Sequence, residues 1–209
     1  MNKWKESELV RSLVGFFLLF LLFVGLFIFV VPSTHQSSKI AEKIKSIKNE
    51  KVTYVAIGDS LTQGVGDSSN QGGFVPVLSQ ALESDFDWQV TSRNYGIAGN
   101  TSNQILKRMQ EKKDIQRDLK KAKVMTLTVG GNDVIHVIKD NITNLNVDTF
   151  TKPAQAYQKR LGQIIELARK DNKTLPIYIV GIYNPFYLNF PEMTEMQTIV
   201  DNWNQSTKE

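Results

Sequence analysis

The chain has 209 residues, a net charge of +4 and no cysteine. The absence of cysteine excludes disulfides, thiolate metal sites and a cysteine nucleophile. The lysines are spread along the chain and are not gathered into one basic tract with interleaved aromatic residues, so nucleic acid is not an expected partner.

An unbroken apolar run, residues 13–31, lies between a short tail, residues 1–12, and a linker, residues 32–51. As a helix the run would span about 28 Å, close to the thickness of a bilayer's hydrocarbon core. No A-x-A cleavage site follows it, which favours an uncleaved signal-anchor over a cleaved secretory signal. We therefore predict a single-pass protein of the cell membrane that contacts membrane lipid through residues 13–31.

The orientation of this anchor does not follow from charge alone. Basic residues precede the run and four lysines follow it, so the positive-inside rule does not decide. We expect the domain outside the cell, because a short tail before a single apolar run is typical of a signal-anchor. Apolar residues at helical spacing predict a spacer helix over residues 37–51. This helix is either solvated or rests on anionic headgroups.

Residues 52–209 alternate predicted strands with predicted helices and are expected to form one domain. Apolar runs predict strands at residues 52–57, 89–94, 123–129 and 175–182. Helical spacing predicts helices at residues 74–83, 101–118, 133–139, 153–170 and 192–207. This alternation predicts a doubly wound α/β domain with a mostly parallel sheet.

Polar turns that contain glycine follow the first three predicted strands, at residues 58–60, 96–102 and 130–133. Since ligands bind at the carboxyl ends of parallel strands, we expect the three turns on one rim of the sheet. Ser60 would begin a helix, where backbone N–H groups favour negative charge. This position suits a nucleophile whose reaction creates an oxyanion.

Together the three turns resemble the sequence blocks of the GDSL, or SGNH, hydrolases. Residues 58–61 read Gly-Asp-Ser-Leu, residues 94–101 read Asn-Tyr-Gly-Ile-Ala-Gly-Asn-Thr, and residues 130–133 read Gly-Gly-Asn-Asp. The resemblance covers residues 52–207, and the anchored layout resembles membrane-anchored GDSL-type lipases of Gram-positive bacteria. It implies a flavodoxin-like three-layer α/β/α sandwich with a parallel sheet of about five strands in the order 2-1-3-4-5. It also implies hydrolysis of carboxylic esters of the lipase or acylhydrolase type.

The resemblance further implies the roles of three residues. Ser60 would be the nucleophile, and its backbone N–H, the Gly99 N–H and the Asn132 amide would form the oxyanion hole. The chemistry fits, because acyl transfer needs a hydroxyl and donors aimed at the oxygen that becomes negative. Each residue also has a structural interpretation, with Ser60 and Asn132 as helix caps and Gly99 as a turn residue. We interpret Asp59 as structural, since its carboxylate can bind neighbouring backbone N–H groups.

The family's last block, an Asp-x-x-His near the C-terminus, has no counterpart in this chain. Its histidine takes the serine's proton, and its aspartate orients the histidine. The chain holds only two histidines, His35 and His136. Residues 133–136 do read Asp-x-x-His, but Asp133 already belongs to the third block, so we interpret His136 as a surface residue. We expect a truncated chain that lacks the C-terminal strand and helix of the fold and has very low activity by itself.

Two other functions fit parts of the sequence. One is a catalytically impaired SGNH-fold binding module for an acylated lipid or glycan at the membrane surface. The other is a flavodoxin-like protein that binds nucleotide or flavin with residues 64–73 as a phosphate loop. Against this second reading, neither G-x-x-x-x-G-K-[ST] nor G-x-G-x-x-G follows a strand.

The sequence leaves the substrate open among lipids, acetylated sugars, thioesters and small esters. No metal or other cofactor is expected, because no cluster of histidine and carboxylate residues has ligand spacing. Five aromatic residues near strand ends either line an acyl pocket or belong to the core: Phe74, Tyr95, Tyr183, Phe186 and Tyr187.

Overall fold

The computed structural model of the protein describes residues 50–141, 143, 146–184 and 194–208. The predicted membrane anchor, residues 13–31, and nearly all of the predicted linker lie outside these described residues. Among the helices that the structure does describe, none is long and apolar enough to cross a membrane.

The described part forms four strands, β1 (Lys51–Gly58), β2 (Gln89–Gly96), β3 (Ala122–Thr128) and β4 (Ile177–Val180). They form one sheet in the order β2-β1-β3-β4, and all neighbouring pairs are parallel. β1 lies inside the sheet and pairs with β2 without interruption along its whole length. The expected parallel sheet and its strand order are therefore confirmed for the strands within the described ranges.

The helices of the described residues are α1 (Ser60–Gln63), α2 (Phe74–Phe86), α3 (Ser102–Glu111), α4 (Lys113–Lys121), α5 (Gly131–Asp140), α6 (Thr151–Ala168) and α7 (Thr194–Lys208). A short 3₁₀ helix, Val147–Phe150, leads directly into α6. Residues 147–152, which lie between the predicted helices 133–139 and 153–170, are therefore helical as well. Pro153 lies in the first turn of α6, where a missing N–H costs no helical hydrogen bond.

One helix prediction was wrong, because residues 101–118 do not form a single helix. Lys112 is extended, with φ −91° and ψ 109°, and it separates α3 from α4. The apolar spacing explains the break. A continuous helix would place Met109 and Ile115 about 120° apart around its axis, so they could not face the same core. The break at Lys112 allows both side chains to be fully buried.

Apolar side chains on β1 are buried against both faces of the sheet. Val55 and Ile57 belong to the large core cluster, which includes buried residues from α3, α4, α5, α6 and α7. Tyr54 and Ala56 point to the opposite face and belong to a smaller cluster with Val75 of α2. Helices therefore cover both faces, as in a layered α/β/α fold. Because apolar clusters cover both faces of the sheet, a polar site can form only at the ends of the strands.

Candidate active site

Ser60 is the first residue of α1, just after the carboxyl end of β1. The preceding Asp59 caps this helix, because its Oδ1 accepts a hydrogen bond from the Leu61 N–H at 3.1 Å. The predicted contact of Asp59 with a neighbouring backbone N–H is therefore confirmed. α1 has a single turn that ends at Gln63, and Gly64 is its C-cap. In so short a helix the macrodipole is small, so negative charge at Ser60 must be stabilised by individual N–H groups.

Thr128, the last residue of β3, holds the Ser60 turn against the neighbouring strand. Its hydroxyl donates to Asp59 Oδ1 at 2.7 Å and accepts from the Asp59 N–H at 3.1 Å. Thr62 Oγ1 lies 2.8 Å from Thr128 Oγ1. Gly58 is needed beside this group, because a Cβ there would collide with the Thr128 hydroxyl. Neither threonine was assigned a role from the sequence. For Thr128 there was a signal, because a polar residue that ends an apolar strand stands at the rim of the sheet.

The turn after β2, residues 97–101, is attached to the Ser60 turn by two hydrogen bonds. The Ile97 N–H donates to the Gly58 carbonyl at 3.1 Å. The Ala98 N–H donates to Gln63 Oε1 at 2.6 Å. The first and second predicted turns therefore lie side by side on the rim of the sheet.

Gly99 is exposed in this second turn and has φ +79°, a conformation that favours glycine. A Cβ at this position would meet open space, so no described protein group requires the small residue. The requirement for glycine is therefore conformational. Within the described residues the Gly99 N–H has no acceptor, and neither has the Ser60 N–H. Both groups are free to donate to a ligand.

Asn132, the second residue of α5, joins the third turn to the second. Its side-chain Nδ2 donates to the Asn100 carbonyl at 3.0 Å, next to Gly99 in the chain. A primary amide carries two donors, so one N–H of Asn132 remains available. The three predicted turns therefore meet on one rim of the sheet, as expected.

A cavity of about 410 Å³ opens beside Ser60. Ser60 and Asn132 both line it, whereas Gly99 is not among the lining residues. The rest of the lining is mainly apolar and includes Leu61, Val134, Ile135, Ile138, Ile182 and Met196. This size and this combination of an apolar wall with a few polar groups are typical of small-molecule sites.

Residues 56–209 match the sequence profile of the GDSL-like lipase/acylhydrolase family, and the match includes all three turns of the rim. The chain belongs to this family. By family it is a serine ester hydrolase of the GDSL type, and its parallel α/β sheet is the fold expected for that family.

Two curated proteins of Bacillus are similar to this GDSL-family chain. The uncharacterized protein YpmR of Bacillus subtilis is 33% identical over 82% of this chain and 68% of its own length. The spore germination lipase LipC of Bacillus licheniformis is 30% identical over 64% of each protein. The chain thus spans less than two thirds of LipC.

Solved structures support the same fold. The lipase Lip_vut3 from a goat rumen metagenome is 25% identical, with a TM-score of 0.67 over 75% of this chain and 74% of that one. AlinE4, an SGNH-hydrolase family esterase, is 23% identical, with a TM-score of 0.50 over 76% and 74% of the two chains. At that identity the second likeness shows the fold alone.

The structure places no histidine beside Ser60 within the described ranges. His136 is exposed on α5 and is not among the residues that line the cavity. This agrees with its interpretation as a surface residue. His35 lies outside the described residues. The rim as described therefore brings together a serine hydroxyl and N–H groups without an acceptor, and no imidazole lies beside them.

Residues 64–73, considered from the sequence as a phosphate loop, bind the side chain of Asp67 with their own N–H groups. The Asp67 carboxylate accepts hydrogen bonds from the Ser69 hydroxyl and from the N–H groups of Ser69, Gln71, Gly72 and Gly73. The Ser69 hydroxyl and the Gly73 N–H hold the pKa of Asp67 well below its usual range. Since these donors already bind a carboxylate, the loop has no free cradle for a phosphate, which argues against the nucleotide-binding reading.

The aromatic residues near the strand ends have different environments. Tyr183 lines the cavity and is exposed. Tyr95 packs against the large core cluster and Phe74 against the small one. Residues 186 and 187 lie outside the described residues. Of the described aromatics in that set, only Tyr183 is placed to contact a ligand in the cavity. No group of three or more His, Asp or Glu side chains in the described ranges is arranged to hold a metal ion.

Proposed function

We propose that this protein hydrolyses carboxylic esters through an acyl-enzyme at Ser60. The observation that carries the proposal is that Ser60 and Asn132 line one largely apolar cavity at the carboxyl ends of β1 and β3. The unpaired N–H groups of Ser60 and Gly99 support it, because they supply two further donors on the same rim.

The reaction begins when Ser60 Oγ attacks the carbonyl carbon of the ester. The carbonyl oxygen becomes negative and accepts hydrogen bonds from the Ser60 N–H, the Gly99 N–H and the Asn132 amide. The bond to the alcohol oxygen then breaks, the alcohol leaves with a proton taken from water, and the acyl group stays on Ser60. Water attacks this acyl-enzyme and releases the carboxylic acid. The cavity beside Ser60 offers apolar surface to the acyl chain, with about 0.8 kcal/mol gained per buried methylene.

The proton of the Ser60 hydroxyl needs an acceptor, and none of the described residues that line the cavity is a histidine. The carboxylate in that lining, Asp59, already accepts hydrogen bonds from the Thr128 hydroxyl and the Leu61 N–H. We therefore expect slow turnover by this chain, at the level that an oxyanion hole alone supports, about 10³–10⁴-fold above the reaction in water. Added imidazole should accelerate ester hydrolysis by the wild-type chain and leave Ser60→Ala at background. His136→Ala should react as the wild type does. If His136→Ala is inactive, His136 is the base and its interpretation as a surface residue is wrong.

Labelling with a fluorophosphonate tests the proposed nucleophile. The Ser60 oxygen displaces fluoride from phosphorus, so the intact mass and the labelled peptide identify the residue. We expect label on Ser60, none on Ser60→Ala, and labelling of Asn132→Ala slower by about 10²–10³-fold. Equal labelling of the wild type and Ser60→Ala would overturn the assignment of Ser60.

A second candidate function is a binding module that holds an acylated lipid or glycan without turning it over. The observation that favours it is that none of the described residues lining the cavity is a histidine. A fluorescent acylated probe that binds to the chain but is not hydrolysed, together with unlabelled Ser60, would support this function over the esterase.

We also propose that residues 13–31 anchor the protein in the cell membrane, with the catalytic domain outside, as in membrane-anchored GDSL-type lipases. The support is the length and apolar character of this run in the sequence. Carbonate extraction and protease treatment of intact cells test it. We expect the protein in the membrane fraction and residues 52–209 accessible to protease. Release by carbonate, or full protection in intact cells, would contradict the proposal.

A further inference from the structure

A chain of polar contacts joins α6 to the beginnings of α3 and α5. Asp133, the third residue of α5, is only 7% exposed. Its carboxylate accepts from the Ser102 N–H at 2.8 Å and from the Ser102 hydroxyl at 2.5 Å. Arg160 of α6 donates from Nε to Ser102 Oγ at 2.7 Å and from Nη2 to Asp133 Oδ1 at 3.2 Å. A buried carboxylate needs such partners, because an unpaired buried charge is strongly unfavourable.

These contacts lie directly behind the oxyanion donors. Asp133 follows Asn132 in the chain, and Ser102 lies three residues after Gly99. The two turns are joined twice in parallel, once by Ser102 with Asp133 and once by the Asn132 amide with the Asn100 carbonyl. Any shift of α3 against α5 would therefore move the Gly99 N–H relative to the Asn132 amide.

Arg160 contacts both sides of this junction with two different nitrogens. The planar guanidinium holds its donors in a fixed geometry, so it reinforces the two direct hydrogen bonds between Ser102 and Asp133. A lysine ammonium carries its three donors on one nitrogen and cannot place two nitrogens in that fixed geometry. The Ser102 hydroxyl accepts from Arg160 and donates to Asp133, which gives a continuous chain of polarised hydrogen bonds.

We propose that Arg160 is a positioning residue for the oxyanion hole, acting through Ser102 and Asp133 on the spacing of Gly99 and Asn132. This role rests on the proposed ester hydrolysis. Arg160 lies outside all three sequence blocks, and the sequence alone assigned it no function.

The spacing of the donors can be measured without catalysis. In ¹H–¹⁵N spectra we expect Arg160→Ala to shift the Gly99 backbone amide and the Asn132 side-chain amide. Arg169→Ala is the matched control, since Arg169 stands near the end of α6 and donates to the Leu175 carbonyl instead. It should leave both signals in place. Unchanged Gly99 and Asn132 signals in Arg160→Ala, or equal shifts in Arg169→Ala, would overturn the proposal.

A kinetic experiment separates positioning from folding. At a temperature where all variants are folded, kcat of Arg160→Ala for a short aryl ester should fall about 10–100-fold with little change in KM, since displacement by about 1 Å can cost 10²-fold in rate. Arg160→Lys should be intermediate and Arg169→Ala near wild type. If Arg160→Ala does not fold, the same amide signals and kcat are measured on Arg160→Lys and Ser102→Ala instead.

Different results would overturn the esterase assignment and the positioning role of Arg160. Hydrolysis that survives Ser60→Ala overturns the esterase assignment, while the amide signals still decide whether Arg160 sets the spacing of the donors. A kcat unchanged in both Arg160→Ala and Arg160→Lys, with Ser60→Ala inactive, overturns the role of Arg160 and leaves the esterase assignment intact.

Discussion

Two threonine hydroxyls, Thr128 and Thr62, organise the turn that carries Ser60. The Thr128 hydroxyl donates to the Asp59 carboxylate and accepts from the Asp59 N–H, so this one hydroxyl pairs with both the side chain and the backbone N–H of Asp59. Asp59 is only 6% exposed, and its carboxylate would lose a donor if this hydroxyl were removed. The backbone of Ser60 is thus held by a neighbouring strand as well as by its own helix.

Thr128→Val should destabilise the protein and also slow the reaction of Ser60. We expect a loss of about 1–3 kcal/mol in the free energy of unfolding, because a buried carboxylate and a buried N–H each lose a partner. Urea denaturation measures the stability, and fluorophosphonate labelling measures the reactivity of Ser60.

Thr126→Val is the matched control for this variant. Thr126 lies on the same strand, and its hydroxyl lies 2.7 Å from the Tyr54 hydroxyl, away from the Ser60 turn. It should lose stability to a similar extent and keep the wild-type labelling rate. If both variants label at the same rate, Thr128 contributes to folding alone.

At the scale of elements, strand β2 is attached to helix α4 through one carboxylate. Asp118 of α4 accepts from the Tyr95 hydroxyl at 2.8 Å and contacts Arg117 Nε at 2.9 Å and Arg93 Nε at 3.5 Å. Burial and the adjacent Asp118 carboxylate raise the pKa of Tyr95 to about 12. Since Tyr95 stands at the end of β2, this cluster supports the strand just before the Gly99 turn.

Asp118 should make the stability of the protein sensitive to acid. Burial alone would raise the pKa of Asp118. Hydrogen bonds from Arg117 and Tyr95, together with the charges of Arg117 and Arg93, outweigh this effect, so that the pKa of Asp118 lies below its ordinary value. A carboxylate with a lowered pKa stabilises the fold above its unfolded pKa of about 3.9, and this contribution is lost as the pH falls through the folded value.

Asp118→Asn should therefore be less stable than wild type at pH 7, by about 1 kcal/mol. The difference should shrink as the pH is lowered below about 4. Thermal unfolding followed by circular dichroism over this range measures the effect. Asp85→Asn, a change at an exposed carboxylate on α2, away from this cluster, is the control and should follow the wild-type curve. A constant difference between Asp118→Asn and wild type at all pH values would contradict this account.

At the scale of the whole molecule, the site forms where three strands end on one rim. This rim could be predicted from the apolar runs of β1 and β3 and from the turns that follow them in the chain. Apolar periodicity and glycine-rich turns are local properties of the sequence. Contacts between distant elements could not be predicted in the same way. Thr128 with Asp59, and Arg160 with Asp133, join residues far apart in the chain, and nothing in their local sequence marks the partner. The break at Lys112 was missed because helical spacing was extended across it.

The central claim is that Ser60, Gly99 and Asn132 act on one reacting carbonyl. A crystal structure of the protein with a phosphonate attached to Ser60 tests it most directly, since the phosphoryl oxygen stands where the oxyanion would form. We predict that this oxygen lies about 2.7–3.1 Å from the Ser60 N, the Gly99 N and Asn132 Nδ2. An adduct on another residue, or a phosphoryl oxygen turned away from both Gly99 and Asn132, would contradict the account.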